Sequence, residues 1–257
     1  MEKSPKETFN DILQDYEEAR PGYSDALFRD IIQLSNINEN SRLLEIGCGT
    51  GQATEAFVKA GYELIGVELG KNLANYLKAK FKDYDNFKVN NSSFEDWSGA
   101  EKSFDLIISA TAFHWVQPEI GYPKTHRLLK EGGSIALFWH MSLLATAENL
   151  QKISEIYRAY APELKHLKTV EEQERIKLEQ FDTYTKYGFK DITYREYSWE
   201  AEYSSGKYLR LLNSYSSYQM LSKAKRDLVL SKIQAVVEGN GGKINVPHKV
   251  RLYFARK

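Results

Sequence analysis

The sequence predicts an α/β fold, a doubly wound, mostly parallel sheet with an antiparallel last strand. Three observations carry this. Short apolar runs at 42–46, 63–68, 87–89, 104–109 and 134–139 alternate with segments of helical period. The first run ends in a glycine-rich loop that opens a helix. The run at 244–254 alternates apolar and polar side chains, as a half-buried antiparallel strand does.

The elements follow in order. Residues 1–8 are polar. Phe9, Ile12, Leu13 and Tyr16 recur at helical spacing and predict a helix over 9–19, stopped by Pro21-Gly22. Ser24 can cap a second helix with Leu27, Ile31 and Leu34 on its stripe. Arg42-Leu43-Leu44-Glu45-Ile46 is the first buried strand. Ala53, Ala56, Phe57 and Ala60 form a helical stripe that Gly61 can terminate. Residues 63–68 form strand two, Asn72 to Phe81 a helix, and Phe87-Lys88-Val89 strand three. Strand four is Phe104 to Ser109. Pro118 opens a helix carrying Leu128 and Leu129. Gly132-Gly133 turns into strand five, Ser134 to Trp139.

Ile153, Ile156, Tyr157 and Tyr160 predict a further helix, and the charged stretch 171–186 another. Residues 190–199 read as strand six and 205–237 as helical. In the last strand Ile244, Val246, Val250, Leu252 and Phe254 face one way. Lys243, Asn245, Lys249 and Arg251 face the other, at or near a sheet edge. His248 falls on the apolar side as a core histidine. Glu171-Glu172-Gln173-Glu174 reads as a solvated helix face. There is no internal repeat.

The 257 residues suit a single domain, 1–257. Its parts are a helical cap at 1–36, a core at 37–140 and a C-terminal part at 141–257. Lys+Arg and Asp+Glu are 35 each, a net charge of +0, which weighs against a dedicated nucleic-acid binder. Cys48 is the single cysteine, so no internal disulfide is possible, and a reducing compartment fits. The N-terminus is too charged for a signal peptide, and no apolar run suits a membrane helix. The expectation is a cytoplasmic protein without a membrane or nucleic-acid partner. The oligomeric state is left open. Some of the 17 tyrosines and 4 tryptophans are expected to line a pocket.

The chemistry lies in Leu43 to Thr54. A dinucleotide fingerprint needs glycine or alanine at the sixth position of its repeat. From Gly47 that position is Gln52, and from Gly49 it is Thr54. A phosphate loop needs Gly-Lys-Ser/Thr, which is missing. The pattern is Glu-x-Gly-x-Gly-x-Gly, with Glu45 ahead of Gly47, Gly49 and Gly51. A carboxylate there repels a pyrophosphate and suits an ammonium or sulfonium group. Glu68 ends strand two, where an acid can accept hydrogen bonds from ribose hydroxyls.

These residues resemble class I, Rossmann-like, S-adenosylmethionine-dependent methyltransferases of seven strands. The resemblance implies S-adenosyl-L-methionine as cofactor. It places Glu45, Gly47, Cys48, Gly49 and Gly51 at the methionine part, and Glu68 with Leu69 at the ribose. Asn91-Ser92-Ser93-Phe94-Glu95-Asp96-Trp97 occupies the position of the adenine cover, with Ser93, Phe94 and Glu95 as contacts, and Ala110, just after strand four, is a further cofactor contact. Tyr16 with Arg20-Pro21-Gly22-Tyr23, FEDW at 94–97, Ala112-Phe113-His114-Trp115, and Leu129 to Gly133 are similar to the small-molecule branch that includes trans-aconitate methyltransferases. In that branch a helical segment lies between the last two strands, here 203–240. With the N-terminal helices it is expected to form a lid.

A methyl transfer needs the acceptor held in line with the methyl carbon. A carboxylate acceptor needs no base, whereas a hydroxyl or amine does. His114, after strand four, is the catalytic candidate, a base with an ordinary pKa near 6.5. Arg20 can bind a carboxylate, and Tyr16 and Arg20 are read on the cofactor side. Tyr23, His114, Trp115, Trp139, Tyr215 and Tyr218 are read on the substrate side, a small-molecule acid methylated on a carboxylate oxygen. His140 is a weaker candidate, and Cys48 has no redox role. Histidine spacing and the lone cysteine argue against a metal site. The rivals are a nicotinamide-dependent oxidoreductase, a non-catalytic cofactor-binding protein, and an RNA or protein methyltransferase.

Overall fold

The computed structural model of the protein describes residues 22–142, 147–164 and 170–257. The helix expected over 9–19, with its Tyr16, and Arg20 after it lie outside them. The described residues fall into two compact units. A core unit holds 22–140, 170–197 and 250–257, and a second unit holds 141–142, 147–164 and 198–249. These boundaries differ from the expected partition. Residues 22–36 join the core, and the second unit extends beyond 203–240 to take in 147–164.

In the core unit, α1 spans Asp25–Ser35. The Ser24 hydroxyl accepts the Leu27 N–H at 3.4 Å, satisfying a donor that the first helical turn leaves open. Leu27 and Ile31 are fully buried. The strands are β1 (Arg42–Ile46), β2 (Glu63–Glu68), β3 (Phe87–Asn91), β4 (Phe104–Ala110), β5 (Leu129–Ser142), β6 (Lys190–Ser204) and β7 (Lys243–Arg256). They form one sheet in the order β3-β2-β1-β4-β5-β7-β6. The first five pair in parallel and the last strand is antiparallel. Helices α2 (Thr54–Lys59), α3 (Lys71–Lys80) and α4 (Pro118–Leu128) connect the parallel strands. Leu106, Ile107 and Ile108 of β4, and Ile135 to Phe138 of β5, are fully buried. A parallel sheet is covered on both faces, so its central strands are apolar without alternation.

Two elements differ from expectation. β5 begins at Leu129 rather than Ser134. Phe104 pairs with Leu129 and Leu106 with Ser134, so residues 130–133 bulge from the ladder, and Gly132 takes φ +75° there. β7 alternates only over its first half. From Val250 to Ala255 every residue is buried, including Arg251 on the face expected to be solvated. β7 lies between β5 and β6, one strand in from the edge. The Arg251 guanidinium is neutralised by Glu196 of β6 at 2.8 Å, and it also donates to Gln173. Gln173 belongs to α6 (Val170–Lys186), which follows α5 (Ala147–Tyr160) in the chain.

The second unit contains α5 and three further helices, α7 (Ser205–Asn213), α8 (Ser216–Gln219) and α9 (Lys223–Gly239). The continuous helical stretch expected over 205–237 is thus broken twice. The hydroxyl of Ser222 restarts the backbone by accepting the Lys225 N–H at 3.4 Å. Ile153, Tyr157, Leu211, Val229, Ile233 and Ile244 form this unit's core. His248 is buried, and its Nε2 meets the Tyr203 hydroxyl at 2.9 Å.

Candidate functional site

The strand order reverses direction between β1 and β4. In open α/β sheets ligands bind at the carboxyl ends of the strands beside such a reversal. The loop after β1 sits there. Gly47, Gly49 and Gly51 take φ of +73°, +57° and +84°, backbone that residues with a Cβ rarely adopt. Packing adds a second demand. A Cβ on Gly47 would come within 2.4 Å of the Ala112 Cβ, and one on Gly51 within 2.7 Å of the Phe81 ring. The loop is therefore wedged between the turn after β4 and helix α3. Cys48 is buried within it, and glycine at position 66 makes room for its sulfur, since a Cβ there would lie 2.6 Å away. Burial and the nearby Glu45 and Glu68 carboxyls push the Cys48 thiol well above its ordinary range.

Glu68 anchors the loop from the next strand. One carboxylate oxygen accepts the Gly49 N–H at 2.9 Å and the other the Gly70 N–H at 2.7 Å. Burial raises its pKa, against those backbone hydrogen bonds. A carboxylate offers about four acceptor sites, so beyond the backbone N–H groups of Gly49, Gly70 and Leu69 it retains capacity for an incoming hydroxyl. Asn91, at the end of β3, donates to the carbonyls of Glu68 and Leu69 at 3.0 and 2.9 Å. Leu69 presents an exposed apolar side chain beside the acid.

Glu45 lies beneath the loop and is fully buried. Thr54 donates to its Oε2 at 2.5 Å, while Oε1 has no hydrogen-bond partner among the described residues. Burial, reinforced by the Glu68 carboxylate, pushes its pKa up to about 8. A buried acid with an orphaned oxygen fits a positively charged group above the loop and disfavours a phosphate.

The segment after β3 departs in detail from its expected role. The Phe94 ring is buried in the core unit rather than offered to an adenine, and it stacks against Trp97 at 6.4 Å. The Ser93 hydroxyl closes its own turn, accepting the Asp96 N–H at 3.0 Å and donating to the Asp96 carboxylate at 2.6 Å. Glu95 remains partly exposed. The segment is held from α4 by Lys124, whose ammonium donates to the carbonyls of Phe94 at 2.6 Å, Glu95 at 3.1 Å and Trp97. Sequence patterning missed this lysine, because nothing local distinguishes it from a solvated helix residue.

After β4, Ala110 leads into Thr111, a β-branched residue at φ +55°. Such a conformation is an outlier that surrounding contacts must hold. Here the His140 N–H donates to the Thr111 Oγ1 at 3.1 Å, and the Tyr23 hydroxyl lies 3.2 Å from the same oxygen. The strained turn sets Ala112 against Gly47 and starts a short 3₁₀ turn, Phe113–Trp115. His114 is exposed there. Its Nδ1 accepts the Trp139 indole N–H at 3.1 Å, and its ring lies 4.6 Å from that of Trp115. The expectation that His114 is a base meets a physical obstacle, since the Nδ1 lone pair is already engaged. Trp139 itself packs edge-on against Tyr253.

The core unit thus brings together the glycine loop, Glu45, Glu68, Leu69, the 93–95 segment, Ala110, Tyr23, His114, Trp115 and Trp139. Tyr215 and Tyr218 belong to the second unit. Tyr218 has no exposed surface, and its hydroxyl meets that of Tyr157 at 2.5 Å, so it packs as core instead of lining a pocket. Tyr215 is partly buried against the same cluster.

Residues 44–137 match a methyltransferase domain family. An uncharacterized methyltransferase of Schizosaccharomyces pombe is 26% identical over 90% of this chain and 87% of its own length. A malonyl-[acyl-carrier protein] O-methyltransferase of a Paenibacillus species is 32% identical over half of each chain (50% and 51%). Among solved structures, a phosphoethanolamine N-methyltransferase 2 of Haemonchus contortus, bound to phosphomonomethylethanolamine and S-adenosylhomocysteine, superposes with a TM-score of 0.59 at 17% identity. That alignment covers 97% of this chain and 60% of the other. Sheet order, loop and similarity define a methyltransferase with a Rossmann-like sheet. The enzyme is an S-adenosylmethionine-dependent methyltransferase.

Proposed function

We propose that the enzyme transfers the methyl group to a carboxylate oxygen of a small-molecule acid, and that the residues assembled in the core unit hold the cofactor. The observation that carries the choice of acceptor is the Trp139–His114 hydrogen bond. It occupies the histidine nitrogen facing Trp139, and an ionised carboxylate has no proton to remove. The partial similarity to an O-methyltransferase points the same way.

When bound, S-adenosylmethionine supplies a methyl group on a sulfonium, a leaving group that needs no protonation. The chain's own residues then have positioning tasks. The loop from Gly47 to Gly51 receives the methionine part, with Cys48 filling the space beneath. Glu68 accepts from the ribose hydroxyls. Leu69 packs on the nucleoside, and the 93–95 segment borders the adenine through its backbone and Glu95. Tyr23, His114, Trp115 and Trp139 line the acceptor side, with Tyr16 and Arg20 of the N-terminal segment assigned to the cofactor. No described helix is long and apolar enough to cross a membrane. A cytoplasmic enzyme acting on soluble metabolites, with neither nucleic acid nor membrane as partner, agrees with the neutral net charge of +0.

The test is transfer of labelled methyl from S-adenosylmethionine to panels of carboxylic acids, alcohols and amines, each product assayed for alkaline lability. A base-labile methyl ester supports the proposal. Stable ethers or methylamines as sole products refute it.

A further inference from the structure

The Trp139–His114 pair does more than occupy a nitrogen. An indole N–H can only donate, so the imidazole nitrogen it meets must be an acceptor. In a neutral imidazole one nitrogen accepts and the other carries hydrogen. With Nδ1 accepting, the hydrogen of His114 is on Nε2. Were Nδ1 to carry it, two N–H groups would face each other across 3.1 Å. Trp139 can impose this because its own ring is fixed, packed on Tyr253 with ring centroids 5.6 Å apart. His114 follows the Thr111 turn, which Tyr23 and the His140 backbone brace.

We infer that Trp139 is a positioning residue that sets the tautomer of His114. His114 then serves as a hydrogen-bond donor, through Nε2–H, to an oxyanion of the methyl acceptor. The pair selects carboxylate acceptors, with one oxygen held by the histidine and the other left to attack. The attacking oxygen forms the bond to the methyl carbon as the carbon–sulfur bond breaks toward sulfur. No proton is transferred. This inference rests on the carboxylate reading above, yet the tautomer can be tested without it.

Two measurements separate the cases. The first is nitrogen-15 NMR of histidine-labelled enzyme, with the His114 signals assigned through His114→Gln. An acceptor-type Nδ1 and a protonated Nε2 in the wild type, changing to a mixture in Trp139→Phe, is the expected result. A protonated Nδ1, or a mixture unaffected by Trp139→Phe, overturns the inference. Phenylalanine retains the packing on Tyr253 while removing the N–H, so the variant is expected to fold.

The second is kinetics with the carboxylic acid best methylated in the panel. Glutamine can donate a hydrogen bond but cannot act as a base. His114→Gln is expected to stay within about tenfold of wild type in kcat/KM, and His114→Leu to fall by about a hundredfold, chiefly through KM. Trp139→Phe should raise KM by about fivefold with kcat little changed. Loss in His114→Gln equal to that in His114→Leu, with a wild-type rate that climbs through a pKa near 6.5, identifies a base and overturns the inference. Methylation of alcohols or amines alone removes the carboxylate reading, while the NMR result still decides the tautomer.

Discussion

The carboxylate of Glu68 grips the backbone of Gly49 across two strands, 2.9 Å from its N–H. The acid that ends β2 therefore shapes the loop that follows β1, before any ligand arrives. The proposed function assigns the same group to the ribose. Hydrogen bonds to a charged group contribute about 1.5–3 kcal/mol each, so Glu68→Ala is expected to weaken S-adenosylhomocysteine binding by about tenfold to a hundredfold. Glu68→Gln should also loosen the loop, because an amide offers only one accepting oxygen for two backbone donors. Titration calorimetry reads the affinity, and unchanged binding in both variants removes Glu68 from the site.

Gly47 has two reasons to be glycine, φ +73° and a 2.4 Å approach to the Ala112 Cβ. Gly47→Ala is expected to cost about 1–3 kcal/mol of stability and to depress cofactor binding. Pairing it with Ala112→Gly relieves the clash but not the backbone strain. The double variant should recover part of the stability in thermal unfolding. Full recovery would show that φ carries no penalty, and no recovery that the clash carries none.

Lys124 draws three carbonyls of the 94–97 segment onto α4. Lys124→Met keeps the aliphatic stem and removes the donors. Hydrogen exchange should rise locally over 93–98, with affinity for S-adenosylhomocysteine falling by about fivefold to tenfold. Exchange spread over the whole core unit would mean that the lysine supports the fold at large.

Glu45 gives a pH dependence of definite sign. Its carboxyl titrates at about 8 in the folded chain, against an ordinary 4.5 when unfolded. Between those values the folded state holds the proton and the unfolded state does not. Its stabilising contribution is present below 4.5 and is lost as pH rises through about 8. Glu45→Gln should flatten the decline in melting temperature over that window, measured without ligand. A cationic ligand above the loop favours the ionised carboxylate, so S-adenosylmethionine affinity should rise with pH across the same range in the wild type alone. Melting and binding profiles that the substitution leaves unaltered would refute the assignment.

The helical stripes and apolar runs made the parallel sheet and the glycine loop legible, because periodicity and loop spacing are local properties of the chain. Glu45 and Glu68 were legible for the same reason, standing at fixed distances from that loop. The burial of Tyr218 is not legible, since an aromatic at helical spacing looks alike whether it faces a ligand or, as here, the Tyr157 hydroxyl. The burial of Arg251 is not legible either, because it depends on β6 and α6, which supply Glu196 and Gln173 from distant sequence.

The sequence by itself determined the fold class, the cofactor and the glycine-rich turn after β1. Tertiary structure alone decided that Phe94 is core, that Lys124 holds the segment beside it, and that Trp139 meets His114 from 25 residues away. Hydrogen-bond partners and burial are set by elements brought together across the sheet. No local pattern records which donor will face a given nitrogen.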